Sequence, residues 1–427
     1  MFKLALIQIG KEGIVMDPTR QKLRSIVFSG LRKQVCLIRV LVGLLSLTFL
    51  GLLGVDVFAQ EKKPILFGTS ISQTGAFARS ARGQLRSFTL AKEQVNQKGG
   101  LLGRPIKLII YDDQSKGPIA VKLYRKLIYQ DKVDFLLSPF GSGTTSAVTP
   151  IVEQAKIPCV APQAGDPRIW AVNRDWVVQI LASMAEYLRE GIDVAVNELG
   201  VKTFAFIYAD SAMQVSSVKE STKYIKEKYP DVKIVLDERF PFGLEDYTPL
   251  MAKAKAVKAE ALFGGGYLPH SMQLVKAAKS VKYQPKAIDV FFGPDPLFNK
   301  GLGKVAEGVM TPSGWEIGVP TPGSDEFAKA YKARWDEEPY YDMAACYAAF
   351  QLLVDAIRTA GSLDRKAVRD YLFSTKTTTV YGKYEVNENG GQIAKKMLTV
   401  QWQDGKKVIL MPTRLRNAQP RSLWGGR

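Results

Sequence analysis

Five short segments of this chain place small, polar or aromatic residues directly after apolar runs that read as β-strands. Ser138-Pro139-Phe140-Gly141-Ser142-Gly143-Thr144-Thr145 follows Val133 to Leu137 and runs straight into a helical pattern. Free N–H groups at a helix start, with serine and threonine hydroxyls beside them, make an anion site, and a carboxylate would suit it. Helix capping by Ser142 or Thr144 is the plainer role, and the two are compatible. The segment lacks the Gly-Lys-Ser/Thr ending of a phosphate loop. Ala161 to Pro167, Ala209 to Met213, Gly264-Gly265-Gly266-Tyr267 and Gly293-Pro294-Asp295 stand after the other four runs. Tyr267 offers a flat apolar face with a polar tip. Asp295 sets one negative charge at a strand end, where it could hold a cation such as an ammonium. Singly, Tyr267 reads equally as a core aromatic and Asp295 as a helix cap. Their shared position at successive strand exits is what points to a ligand site.

Other chemistry is hard to build from this composition. The chain has one histidine, His270, which argues against a histidine zinc site or a Ser-His or Cys-His pair. Gly301 to Ala306 superficially matches a dinucleotide pattern but follows a polar loop instead of a strand. No cofactor is expected. Of three cysteines, Cys159 and Cys346 lie in apolar stretches and read as buried small hydrophobes, with a bridge between them the alternative. The net charge of +18 comes from scattered lysines and arginines, as in Lys219 to Lys228, which alternate with apolar or acidic neighbours. These are solvated helix faces with no interleaved aromatic stripe, so a nucleic-acid partner is not expected.

The elements that must position the strand exits form two series. In the first, Ile106 to Tyr111, Val133 to Leu137 and Ile157 to Val160 read as strands, with helices near Ile119 to Gln130 and Thr144 to Ala155. A long helix, Ser183 to Leu199, precedes the second series, whose strands are Thr203 to Tyr208, Val232 to Leu236, Ala261 to Phe263 and Ile288 to Phe292. Apolar strands alternating with helices indicate parallel βαβ units, and two series imply an α/β protein of two Rossmann-like, doubly wound lobes. Phe327 to Trp335, Met343 to Ala360 and Arg365 to Phe373 read as helices. Tyr381 to Val386 and Met397 to Gln403 read as a pair of strands, with Asp404-Gly405 as a hairpin turn. No Pro-, Gly- or Ser-rich linker divides the lobes, so the chain should cross between them directly and more than once.

Ahead of these series, Arg32, Lys33 and Arg39 lead into the apolar run Val40 to Leu53 and then Val57-Phe58-Ala59-Gln60. Basic residues, a short apolar core and a small residue at a cut site make a secretory signal, and the core is short of the about 20 residues a bilayer span takes. Met1 to Ser29 fit no such signal, and Met16 is the alternative start. Cutting after Ala59 leaves 368 residues with a net charge of about +13, enough for two domains. An uncleaved anchor is the competing reading.

The chain resembles the Leu/Ile/Val-binding protein family, the type I periplasmic binding proteins that feed ABC importers. Ile65-Leu66-Phe67-Gly68 with Thr74-Gly75, Asn96 to Gly100 with Leu102 to Ile106, Tyr111-Asp112-Asp113, Gly265-Gly266-Tyr267 and Gly293-Pro294 carry the likeness in order and spacing. The resemblance implies two lobes joined by three crossings, closing on a ligand like a hinge. It divides the chain into residues 60–180 with about 318–395, residues 181–317 with about 396–412, and a tail from 413 to 427. It puts Ser142, the Gln163 backbone and Gly165 on a ligand carboxylate and Asp295 on the ammonium. Tyr267 faces the ligand, and Ser80 lies near the pocket. Gly165 stands where relatives carry Ser or Thr, and Met213 where a second tyrosine is common; both departures weaken the case for a plain branched-chain amino acid and leave room for a larger apolar or aromatic acid, or an amide. Ser115 and Gly141 occupy the places of a disulfide found in some relatives. The expected function is periplasmic capture of a small amino acid or organic acid for an ABC permease, with no covalent chemistry. A ligand-sensing ectodomain or regulator on the same fold is the alternative, and an extracellular enzyme a third reading that lacks a nucleophile–base pair.

Overall fold

The computed structural model describes residues 62–425, so the secretory segment, Cys36 and the question of Met1 or Met16 lie outside the described residues. Five strands, β1 (Ile65–Ile71), β2 (Ile106–Asp112), β3 (Phe135–Leu137), β4 (Cys159–Ala161) and β5 (Val177–Gln179), form an all-parallel sheet ordered β2-β1-β3-β4-β5. The connecting helices are α1 (Ala78–Gln97), α2 (Gly117–Tyr129) and α3 (Ser142–Ala155). In α1, Ala81, Gln84, Phe88 and Ala91 recur at helical spacing and are buried, which turns Arg79, Arg82 and Arg86 towards the outside. Asn96 ends this helix by donating to the Ile106 carbonyl at 2.9 Å and accepting the Ile106 N–H at 2.8 Å, so the Asn96 motif fixes where β2 begins.

After α4 (Arg189–Asn197), the second series runs β6 (Thr203–Ala209), α5 (Ala212–Lys228), β7 (Lys233–Phe240), α6 (Thr248–Ala256), β8 (Ala261–Gly265), α7 (Leu268–Ser280), β9 (Ala287–Val290), α8 (Pro296–Leu302) and β10 (Met310–Ser313). Its parallel part is ordered β7-β6-β8-β9-β10, the same winding as the first sheet. The chain then leaves this sheet for α9 (Ser324–Trp335), α10 (Tyr341–Ala360) and α11 (Arg365–Ser374); α9 and α10 pack against α1, and α10 also meets β4. Helix α10 is buried on nearly every side and stops at Gly361, whose φ of 63° is the left-handed cap that glycine adopts without strain. The two-stranded β11 (Thr377–Thr379) and β12 (Gly382–Tyr384) follow. The chain returns to the second sheet as β13 (Leu398–Gln403) and β14 (Lys406–Met411), both antiparallel to their neighbours. It therefore passes between the sheets three times, after β5, after β10 and before β13.

Several expected elements differ. Ser183 to Leu199 is a 3₁₀ turn, Met184–Glu186, followed by α4, because the Met184 N–H leaves the helix to donate to the Gly165 carbonyl at 2.8 Å. Tyr381 to Val386 does not pair with Met397 to Gln403. Its core pairs backwards with Thr377–Thr379, while Asp404-Gly405, both at positive φ, joins β13 to β14. The strand expected to reach Phe292 ends at Val290, since Phe292 takes φ 59° in a turn that aims its ring into the centre of the molecule. The tail is tied down: Gln403 and Gln401 on β13 donate to the carbonyls of Gln419 and Arg421 at 2.8 Å each. Cys159 and Cys346 are buried and unbridged. Among the described residues no helix is long and apolar enough to cross a membrane.

Candidate functional site

In sheets wound in this order, ligands bind where neighbouring strands send their connections to opposite faces. For the first sheet that point lies between β1 and β3, and for the second between β6 and β8. The carboxyl ends there carry Phe140 to Ser142 on one side, and Met213 and Tyr267 on the other. These residues meet. With Gln163, Leu181, Met184, Tyr187, Phe292, Tyr341 and Asp342 they line one narrow space of ≈ 20 Å³. That holds about one water, so a solute enters only as the side chains or the two sheets move apart.

Tyr267 is the central contact. Its ring lies 5.2 Å from Phe77 and 6.5 Å from Phe140, which belong to the first sheet's loops, and 4.9 Å from Phe292 and 5.7 Å from Phe242 on its own side. Aromatic pairs at such separations favour tilted and edge-on packing. The cleft is thus closed by tilted aromatic rings contributed from both sides.

The polar groups sit at the edges. Ser142 is buried in the first turn of α3, and Gly141 holds the cap position with φ 88°, so neither Ser142 nor Thr144 caps the helix. Thr144 turns back to donate to the carbonyls of Phe140 and Gly141. The Ser142 hydroxyl accepts the Asp166 N–H at 3.3 Å, and the Asp166 carboxylate accepts from Ser216 of α5 at 2.8 Å, linking the two sides. Gln163 lines the space with its side chain, whose amide donates to the Asp342 carbonyl at 2.9 Å and to the Cys346 sulfur at 3.2 Å.

Two expected site residues stand apart. Ser80, half-buried on α1, does not line this space. Gly165 lies behind Met184: a Cβ on Gly165 would come within 2.1 Å of the Met184 methyl, so that thioether fills the place a serine or threonine side chain would take.

Asp295 is not free for a ligand cation. It caps α8 through the Leu297 N–H at 2.9 Å, and Arg79 on α1 donates to both its oxygens at 3.1 and 2.8 Å. This ion pair spans the rim of the cleft. Beyond it opens a recess of ≈ 340 Å³ lined by Arg79, Arg82, Arg86, Lys300 and the acidic run Asp336 to Glu338. The acid inside the cleft is Asp342, in the first turn of α10, with one carboxyl oxygen unpaired. Burial pushes its carboxyl up to about 8, Asp295 adds to the shift, and Gln163 opposes it. Asp342 is therefore mostly protonated at neutral pH, a donor until a cation draws its proton off. The sequence signal for it was an acid at the head of an otherwise apolar, alanine-rich helix. For Arg79 it was the repeat Arg79, Arg82, Arg86 on one helix face.

Two doubly wound sheets, three crossings and a cleft at both winding reversals define the type I periplasmic binding protein fold. A model of the periplasmic binding protein family matches residues 64–407, and the chain belongs to that family. The Leu/Ile/Val-binding protein homolog 7 of Brucella abortus is 25% identical over 377 residues, covering 83% of this chain and 93% of the relative. The branched-chain amino acid transporter substrate-binding protein LivJ from Streptococcus pneumoniae, in complex with isoleucine, superposes with a TM-score of 0.73 at 22% identity, covering 82% of this chain and all (100%) of that one. A solute-binding protein of an ABC transporter from Rhodopseudomonas palustris, in complex with 3,4-dihydroxy benzoic acid, gives a TM-score of 0.73 at 20% identity, covering 84% and 98%.

Proposed function

We propose that this protein is the periplasmic capture component of an ABC importer, which closes two halves over one small organic acid and presents it to a membrane permease. The halves are residues 60–180 with about 318–395, and residues 181–317 with about 396–412. The observation that carries the reading is the single cleft to which both sheets contribute their winding-reversal loops, with Ser142 at one edge and Asp342 at the other. Ser142 and the N–H groups opening α3 would take the carboxylate. Phe140, Tyr267, Phe292 and Met213 would hold the apolar body, with Tyr267 swinging aside to admit it. Two of the similar solved structures hold isoleucine and 3,4-dihydroxy benzoic acid, and either kind of ligand suits a wall of rings and thioethers. Asp342 separates the two classes. As a carboxylate it would pair with an amino acid's ammonium; as an acid it would donate to a ring hydroxyl or an amide.

The experiment is thermal denaturation against amino acids and hydroxybenzoates. A true ligand at about one hundred times its dissociation constant adds about 2.7 kcal/mol of stability. No shift with any carboxylate or amide would end the reading.

A further inference from the structure

A second cavity, of ≈ 360 Å³, lies away from the cleft. That is within the range of small-molecule sites. Its walls come from all the late crossing segments: Gly314 to Thr321 after β10, Tyr381 to Lys383 around β12, Ala394 to Leu398 entering β13, and Pro412 to Leu415 after β14. Four cations line it, Lys383, Lys395, Lys396 and Arg414, and no acid does. Lys396 is committed to Glu186 at 3.0 Å. Lys395 is the unusual member. It is only 9% exposed, yet no hydrogen bond or ion pair reaches its ammonium among the described residues; the nearest favourable contact is the face of the Tyr381 ring, 4.6 Å away. An amine that faces a cavity among other cations, with no counter-charge of its own, is costly to keep charged, and the arginine lining the same cavity adds to the cost.

We propose that this cavity is a binding site for a small multivalent oxyanion, a phosphate or polycarboxylate, with Lys395 and Arg414 as its principal contacts and Lys383 at the mouth. The charge pattern is what an oxyanion needs and what an apolar or cationic ligand would avoid. Burial, and then Arg414, push the Lys395 ammonium down to about 7, a shift that an incoming anion reverses. The site is independent of the cleft, sharing none of its lining residues.

Isothermal titration of the full chain with inorganic phosphate, pyrophosphate and citrate, at fixed ionic strength against chloride, tests it. The expected result is saturable one-to-one binding of at least one of them, the preferred anion telling the phosphate source from the carboxylate source. Binding weakens about tenfold or more in both Lys395→Met and Arg414→Gln, the loss of a charge-assisted contact. Lys395→Met replaces a buried amine by an apolar chain of similar length, and Arg414 is exposed, so both variants keep the fold. No saturable binding to any of the three, or binding that both variants leave unchanged, overturns the proposal.

Discussion

The cleft and the cavity at the crossings each hold one charge-bearing side chain without a counter-charge, of opposite sign, one sealed in and one facing open space. At the cleft a carboxyl, Asp342, is buried with one oxygen unpaired and pushed up to about 8. At the crossings an amine, Lys395, is buried without an ion pair and pushed down to about 7. Neither is well served by its own fold, and each is poised near neutrality for a ligand of opposite sign. The surroundings differ: rings and thioethers close the cleft to ≈ 20 Å³, whereas the crossings leave ≈ 360 Å³. A site of the first kind selects by shape after opening, and one of the second by charge as it stands.

Because the signs differ, so do the pH dependences. The raised Asp342 value makes the folded chain hold a proton more tightly than the unfolded one. That contribution is full below the ordinary carboxyl value of 3.8 and is lost as pH rises towards about 8. The lowered Lys395 value acts in reverse, being full above the ordinary 10.5 and lost as pH falls towards about 7. Asp342→Asn should have the largest effect, removing up to about 5 kcal/mol of the stability lost between pH 4 and 8, as read by urea denaturation. A similar share should persist from Asp289, which is buried in β9 with both oxygens unpaired, pushed up to about 8, and lines neither cavity. Lys395→Met should follow closely, raising stability at pH 6 by up to about 4 kcal/mol and by little at pH 10.5. A gain of equal size at both pH values would contradict it.

Smaller changes sharpen the contrast at the cleft. Gly165→Ser forces the Met184 methyl out of the place it fills and presses on the Ala182 carbonyl, 2.9 Å from the added Cβ, at about 1–3 kcal/mol in thermal unfolding. If the displaced thioether leaves a hydroxyl facing the cleft, affinity should move towards amino acids, and an unchanged ligand ranking would show that Gly165 is only structural. Arg79→Ala breaks the rim ion pair with Asp295. Arg79 is half-exposed, so the effect is about 0.5–1 kcal/mol and should vanish in high salt. Its main readout is faster ligand release in stopped-flow fluorescence; an unchanged off-rate would mean the pair is not a latch.

Much of the winding was legible in the sequence because parallel strands of such sheets are apolar runs, and β2, β6 and β8 begin where those runs begin, although β1 and β5 were not read as strands. Their exits followed, and Ser142, Gln163, Met213 and Tyr267 do line one space. What escaped was set by tertiary contact. Asp295 reads as a free charge until Arg79, 216 residues earlier, closes on it. Gly165 reads as a missing hydroxyl until Met184 is seen in its place. Asp342 belongs to a helix that local pattern assigns to the core, and only the cleft beside it gives the carboxyl a purpose. β10 and β14 were missed for a plainer reason: a four-residue strand with a proline, and one opening on two lysines, carry little alternating signal.

The central claim is that one small carboxylate binds between the two halves, against Tyr267 and Ser142. Isothermal titration of the best ligand from the denaturation panel into the native chain and into Tyr267→Ala tests it most directly. The expected result is one solute per chain and an affinity falling at least about tenfold in the variant, as for a ring at the centre of a buried contact. Equal affinity in both proteins, or more than one equivalent bound by either, would contradict it.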